Sequence, residues 1–251
     1  MRSAEQVITR ALCLAAVVTR ANAEYLIGSG EPAPVFAELT GVDPKDAPPR
    51  IDRWLSQEGL KTGLSPQERF WMSVPGGTWS QQNTLDASWR REGLTVLLWA
   101  LQVLEPMPSA DVQIDIVDLL QSAWLLKDTK AFRDMGKLRF AEEIKRTRDA
   151  AEFWLWRART TQLQESPDAP IDPGISKDRL EEIISQAAET GERKGLFKRV
   201  GGDFPAFGKP FRELNQPEWS LIRSICAERL YGLNWLCGID GLEWDDVDTS
   251  T

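Results

Sequence analysis

Histidine is absent from the 251 residues. That one gap removes Ser-His-Asp and Cys-His nucleophile systems, the Glu-x-x-His di-iron motif and most zinc sites. Cysteine is scarce: Cys13, Cys226 and Cys237 form no C-x-x-C pair. They read as small core residues in a protein that does not lean on disulfides, and a reducing cytoplasm is the expected compartment. Runs of alternating apolar and polar residues are missing, which argues against a sizeable sheet. No basic cluster offers a face to nucleic acid, and Gly201-Gly202-Asp203 lacks the lysine and following Ser/Thr of a phosphate-binding loop. No cofactor motif is present.

What the chain does have is one long apolar stretch. From Gly93 to Leu104 only Thr95 and Gln102 are polar, and Pro106 and Pro108 close the run. A helix that is apolar all round must be buried on most sides, yet this run falls short of the roughly 20 apolar residues that cross a bilayer. It is expected to be the central helix of an all-α, multi-helix single domain spanning 1–251, with no membrane association. The apolar run Ala11–Val18 near the start could imitate a signal peptide, but Glu5 and Arg20 flank it. The spacing of Val7, Ala11, Leu14 and Val18 predicts instead a first helix over Ser3–Leu26.

Further along, residues 28–49 read as a glycine- and proline-rich loop, and Ile51–Glu58 as a short helix. Ser65-Pro66-Gln67-Glu68 opens another with a capping box. The central helix begins between Ser80 and Asp86. Helices are expected over Asp111–Leu126, Phe132–Gln164, Ser176–Thr190 and Pro217–Gly238, with a proline-rich loop at 164–174. Between Gly195 and Pro217, irregular chain with at most a short β-hairpin near 195–215 is expected. Of the net charge of −8, the last twelve residues carry −5 through Asp240, Glu243, Asp245, Asp246 and Asp248. The segment 240–251 therefore reads as an acidic C-terminal tail, docked by Trp244 and Val247.

Two motifs are distinctive. Trp89-Arg90-x-Glu92-Gly93-Leu94-x-x-Leu97-Leu98-Trp99-Ala100-Leu101 is the first. The second is Glu228-Arg229-x-x-Gly232-Leu233-Asn234-Trp235-Leu236-x-Gly238, followed by Trp244-Asp245-Asp246-Val247-Asp248-Thr249. Together they resemble the bacterial domain-of-unknown-function family DUF4272. The resemblance implies one intact domain and carries over no catalytic residue.

Four charges in these motifs sit on apolar stripes. Arg90 aligns with Leu94, Leu97 and Leu101, and Glu92 with Val96, Trp99 and Val103. Glu228 aligns with Ile225, Gly232 and Trp235, and Arg229 with Ile222, Cys226 and Leu233, while Arg91 falls on the most polar side of its helix. Such charges must be paired or must line a polar cleft. Two readings follow: a carboxylate-arginine site for a small polar ligand, or a structural ion-pair network in which Arg90 or Glu92 meets Glu228 or Arg229. The second is preferred because buried charges usually have partners. Asp245, Asp246 and Asp248 could hold a divalent metal through oxygen ligands, but a tail capped by docking of Trp244 and Val247 is the preferred reading.

The eleven tryptophans, including Trp89, Trp99, Trp235 and Trp244, suit core and interface use. These features suggest a cytoplasmic bacterial protein that binds another protein, such as an immunity-like protein or an accessory to a toxin or secretion system. The alternative is a small-molecule hydrolase or transferase using Asp/Glu and Arg with a divalent metal.

Overall fold

A computed structural model describes residues 1–122, 126–165 and 176–250. Ten α-helices occur among them: α1 (Ala4–Ser29), α2 (Pro34–Thr40), α3 (Ala47–Gln57), α4 (Pro66–Ser73), α5 (Gln81–Ala100), α6 (Ile116–Ser122), α7 (Lys130–Met135), α8 (Ala141–Glu165), α9 (Lys177–Arg193) and α10 (Gln216–Cys237). The sheet content is one two-stranded antiparallel hairpin, β1 (Pro205–Ala206) and β2 (Lys209–Pro210). The fold is mainly helical.

The predicted central helix is α5. It lies against α1 on one side and α10 on the other, and α10 lies in turn against α8. From Glu92 to Ala100 every α5 residue is buried. Helices α5 and α10 come together at two glycines: a Cβ on Gly232 would stand 3.4 Å from both the Cα and the carbonyl oxygen of Gly93. That is van der Waals contact for an alanine and leaves no room there for a bulkier side chain. Helix α1 is long and apolar enough to cross a bilayer, with a mean hydropathy of 1.2 over 18 residues, but 72% of that window is buried inside the protein. A capping box between Ser3 and Gln6 starts it, and Gly30 in the left-handed region ends it.

Several expected boundaries move, each for a local reason. The stretch read as loop before residue 50 contains α2, which has Pro34 in its first turn and Gly41 as its left-handed cap. Proline at the start and glycine past the end delimit a helix as readily as they break one. Helix α3 likewise begins at Ala47, with Pro48 and Pro49 in its first turn. Helix α5 stops at Ala100 rather than running to Leu104. Gln102 takes a left-handed φ of 59°, and Gln102 N and Val103 N donate to Trp99 O and Leu98 O at 3.0 and 2.9 Å, a Schellman ending made without glycine.

The helix expected over 132–164 is two helices, α7 and α8, broken at 136–140. Arg139 lies in the break and caps α5. Its backbone N–H donates to Ala100 O at 2.9 Å, its Nε to Trp99 O at 2.7 Å, and its guanidinium stacks 4.7 Å from the Trp99 ring. Helix α6 begins at Ile116, five residues later than Asp111, because Val112 O and Ile114 N are committed to side chains of α10 and α5. Leu126, its expected end, is not helical and takes a left-handed φ of 58°, while residues 123–125 and most of the loop expected at 164–174 lie outside those described.

The core forms two main clusters, and α10 contributes to both. One gathers Leu12, Leu14, Ile51, Leu55, Leu94, Leu97, Leu98, Leu233 and Trp235. The other centres on Trp154, which packs 5.4–5.5 Å from Phe197 and Phe204 and 6.2 Å from Phe211. The acidic end is not a free tail. Trp244 is 3% exposed, its carbonyl accepts from the Tyr231 hydroxyl, and Asn234 Nδ2 donates to Asp248 O at 2.8 Å. The side chains of Asp240, Glu243, Asp246 and Asp248 face outward.

Candidate functional site

The first motif lies on α5 and the second runs from α10 into the chain that follows it. Their packing brings all four singled-out charges together as two ion pairs. Glu92, 0% exposed, meets Arg229, 5% exposed, with Nε to Oε2 at 2.9 Å. Arg229 spends its remaining fork on backbone: Nη1 donates to Pro108 O (2.7 Å) and Ser109 O (2.9 Å), and Nη2 to Val112 O (2.7 Å). The other oxygen of Glu92 accepts from Ile114 N at 3.1 Å. The pair thus fastens the 108–114 segment and takes up Val112 O and Ile114 N, which a helix starting at Asp111 would use for its own first bonds.

Arg90 and Glu228 form the second pair, Nη1 to Oε2 at 3.2 Å, with side chains 18% and 24% exposed. The Arg90 guanidinium also stacks 4.7 Å from the Tyr231 ring. Burial pulls the Arg90 pKa down, but Glu228, Tyr231, Glu68 and Asp245 more than offset it, so Arg90 stays above its ordinary value.

The remaining motif residues are mostly spent on packing. Trp99, Trp235 and Trp244 are buried, and the rings of Trp235 and Trp244 meet edge-on at 5.4 Å. Asn234 accepts from Arg148 Nε at 2.9 Å. Half-buried Trp89 borders a 280 Å³ hollow beside Arg159, Arg223 and Glu228. The carboxylates of the acidic end are engaged separately. Asp245 Oδ2 accepts from Gln67 N at 2.8 Å, and Asp248 Oδ1 from Ser250 N and Oγ. Among the described residues no three His, Cys, Asp or Glu side chains converge as a ligand set. The thiols of Cys13 and Cys226 are pushed up to about 12 by burial, far from the pKa of a reactive cysteine.

Sequence reasoning missed three further ion pairs that are buried on both sides. Arg10 meets Glu68, the same glutamate that closes the predicted capping box at Ser65, and its guanidinium lies 5.1 Å from the Trp244 ring. Arg20 meets Glu24 at 2.8 Å. Arg157 makes a two-pronged contact to Asp203, Nε–Oδ1 at 2.9 Å and Nη2–Oδ2 at 2.8 Å. Asp203 also accepts from Phe204 N and Arg212 N. Burial raises the Asp203 pKa, but Arg157 and these backbone N–H groups outweigh it and hold the carboxyl below its ordinary value. The available signal was the position of Arg10 and Arg157 within apolar helix faces.

Arg91, between the paired residues, points the other way. It lines a groove of about 1090 Å³ formed by the C-terminal third of α1 and the N-terminal half of α5. Tyr25 and Leu85, 56% and 50% exposed, stand in this groove with half-buried Trp79. Among the described residues its guanidinium makes no ion pair, and its Nε is buried with no hydrogen-bond partner.

No curated protein and no solved structure shows significant similarity to the chain. One family model does match, over residues 1–181, a span that includes the first motif and stops before α10. By that match the chain belongs to DUF4272, a family described as a domain of unknown function.

Proposed function

We propose that the protein acts by binding another protein, as an immunity-like or accessory factor in the bacterial cytoplasm, and not by catalysis. The observation that carries this reading is the α1–α5 groove, where Tyr25, Leu85 and Trp79 stand together among the polar side chains of Asn22, Gln82 and Ser88. Exposed apolar and aromatic side chains gathered in one recess suit an interaction surface. The competing enzyme reading needs carboxylates and arginines free to reach a substrate. Glu92, Arg229, Arg157 and Asp203 are instead saturated by one another and by backbone. The three free thiols suit a reducing compartment.

A photo-crosslinking residue at Leu85, in the protein expressed in its native cell, should capture a defined protein. The same residue at Phe140, which is 85% exposed, should not, and Tyr25→Asp should abolish the capture. Equal capture at both positions, or at neither, overturns the reading.

A further inference from the structure

We propose that the α1–α5 groove takes an amphipathic helix from the partner, and that one carboxylate on that helix is received by Arg91. The inference rests on the binding reading above and adds the chemistry of the occupant. Arg90 and Glu92 are paired toward α10, whereas partly buried Arg91 makes no ion pair among the described residues and leaves its buried Nε without a hydrogen-bond partner. Its neighbour Glu92 is committed to Arg229. Across the groove, Glu24 is committed to Arg20 and to the backbone N–H groups of Gly77 and Trp79. Asp115 accepts from Val117 N and makes no ion pair with Arg91. The ion pairs around the recess leave Arg91 outside them, so an incoming carboxylate would meet an arginine that no side chain of α1 or α5 holds. Burial lowers the Arg91 pKa, and Glu92 and Asp115 offset that only in part. The guanidinium sits 5.9 Å from the Trp89 ring, a stacking contact that orients a planar fork without neutralising it.

A helix is the occupant that fits. The walls run over 21–29 of α1 and 81–91 of α5, about 12–15 Å at 1.5 Å per residue, or two to three helical turns. Apolar anchors at i, i+3/i+4 and i+7 would meet Tyr25, Trp79 and Leu85, the usual mode of a helix laid in a groove. A carboxylate on that face would reach Arg91 as a charge-assisted pair.

The test is selection of displayed random helical peptides on the full-length protein, with Leu85→Asp, Arg91→Gln and Arg91→Glu as comparators. Thermal melts would establish that each variant folds. The expected result is a consensus with helically spaced apolar residues and one Asp or Glu. Binding should be lost on Leu85→Asp and weakened about tenfold or more on Arg91→Gln, which corresponds to 1.4 kcal/mol. Selection on Arg91→Glu should place Lys or Arg where the acid stood. A groove-dependent consensus without an acid, or one indifferent to Arg91→Gln, overturns the carboxylate while leaving the groove reading intact. No enrichment, or enrichment indifferent to Leu85→Asp, overturns both.

Discussion

The two faces of α5 treat charge in opposite ways. Toward α10, Arg90 and Glu92 are each met by a residue of the facing helix, and the deeper pair is also tied to four backbone groups. Toward the groove, Arg91 receives nothing from α1. The three residues are consecutive, and the helical period sends Arg91 to the most polar side while Arg90 and Glu92 stand on apolar stripes. The difference lies in what the neighbouring element supplies. Charge inside a protein is a liability to be matched, and where the chain does not match it, the match is sought outside.

The deepest pair gives the sharpest test. Arg229→Met should cost about 3–5 kcal/mol in urea unfolding, because it leaves Glu92 buried and alone and also releases the Pro108, Ser109 and Val112 carbonyls. A loss below about 1 kcal/mol would put this pair in the class of exposed ones and dissolve the contrast between the faces.

A second buried pair, away from α5, asks whether the rule is general. Asp203→Asn should cost about 2–3 kcal/mol near neutral pH, since it weakens charge-assisted hydrogen bonds. The folded pKa of Asp203 is depressed, so its contribution is present above the unfolded value of about 3.9 and lost as pH falls through the folded value. The gap between wild type and Asp203→Asn is therefore expected to be constant from pH 6 to 8 (roughly, by the same linkage) and to shrink under acid. A gap that grows toward acid would reverse the assigned direction.

The half-exposed pair should matter less. Arg90→Met and Glu228→Gln are expected to cost about 1 kcal/mol each, and the double variant to cost less than their sum, as contacting residues do. Simple additivity would mean that the two side chains do not act on each other. The smallest effect is expected at Arg91. Removing an uncompensated cation with Arg91→Leu should leave the melting temperature unchanged or raise it, by about 0–1 kcal/mol of stability. A clear loss would reveal an internal partner and remove the reason for an external one.

The α5–α10 contact was legible because both helices carry charges on otherwise apolar stripes, and a stripe predicts the surroundings of whatever stands on it. The stripes did not assign partners: Arg90 with Glu228 and Glu92 with Arg229 follows from crossing at Gly93 and Gly232. Asp203 was opaque for a different reason. It stands in irregular chain after two glycines, where no periodicity indicates burial, and its arginine is 46 residues away on α8. The end of α5 was equally hidden, since the groups that close it come from Gln102 in a left-handed conformation and from Arg139. Prolines 34, 48 and 49 misled in the opposite sense, marking helix starts where their number suggested loop. The groove could not be read at all, because a recess belongs to two helices and to neither sequence.

The separation of Glu92 and Arg229, 137 residues apart, has a consequence during synthesis. At about 5–20 residues per second a nascent chain needs on the order of ten seconds to get from one to the other. For that interval α1 and α5 exist without α10, and the apolar flank of α5 that will meet it is uncovered. Arg90 and Glu92 then face water on that flank and disfavour its association with other nascent chains, as charges on exposed edges do elsewhere. Once α10 arrives, the same two residues recognise Glu228 and Arg229 and are withdrawn with them. The ion pairs thus serve the unfinished protein as solubilising groups before they serve the finished one as fasteners.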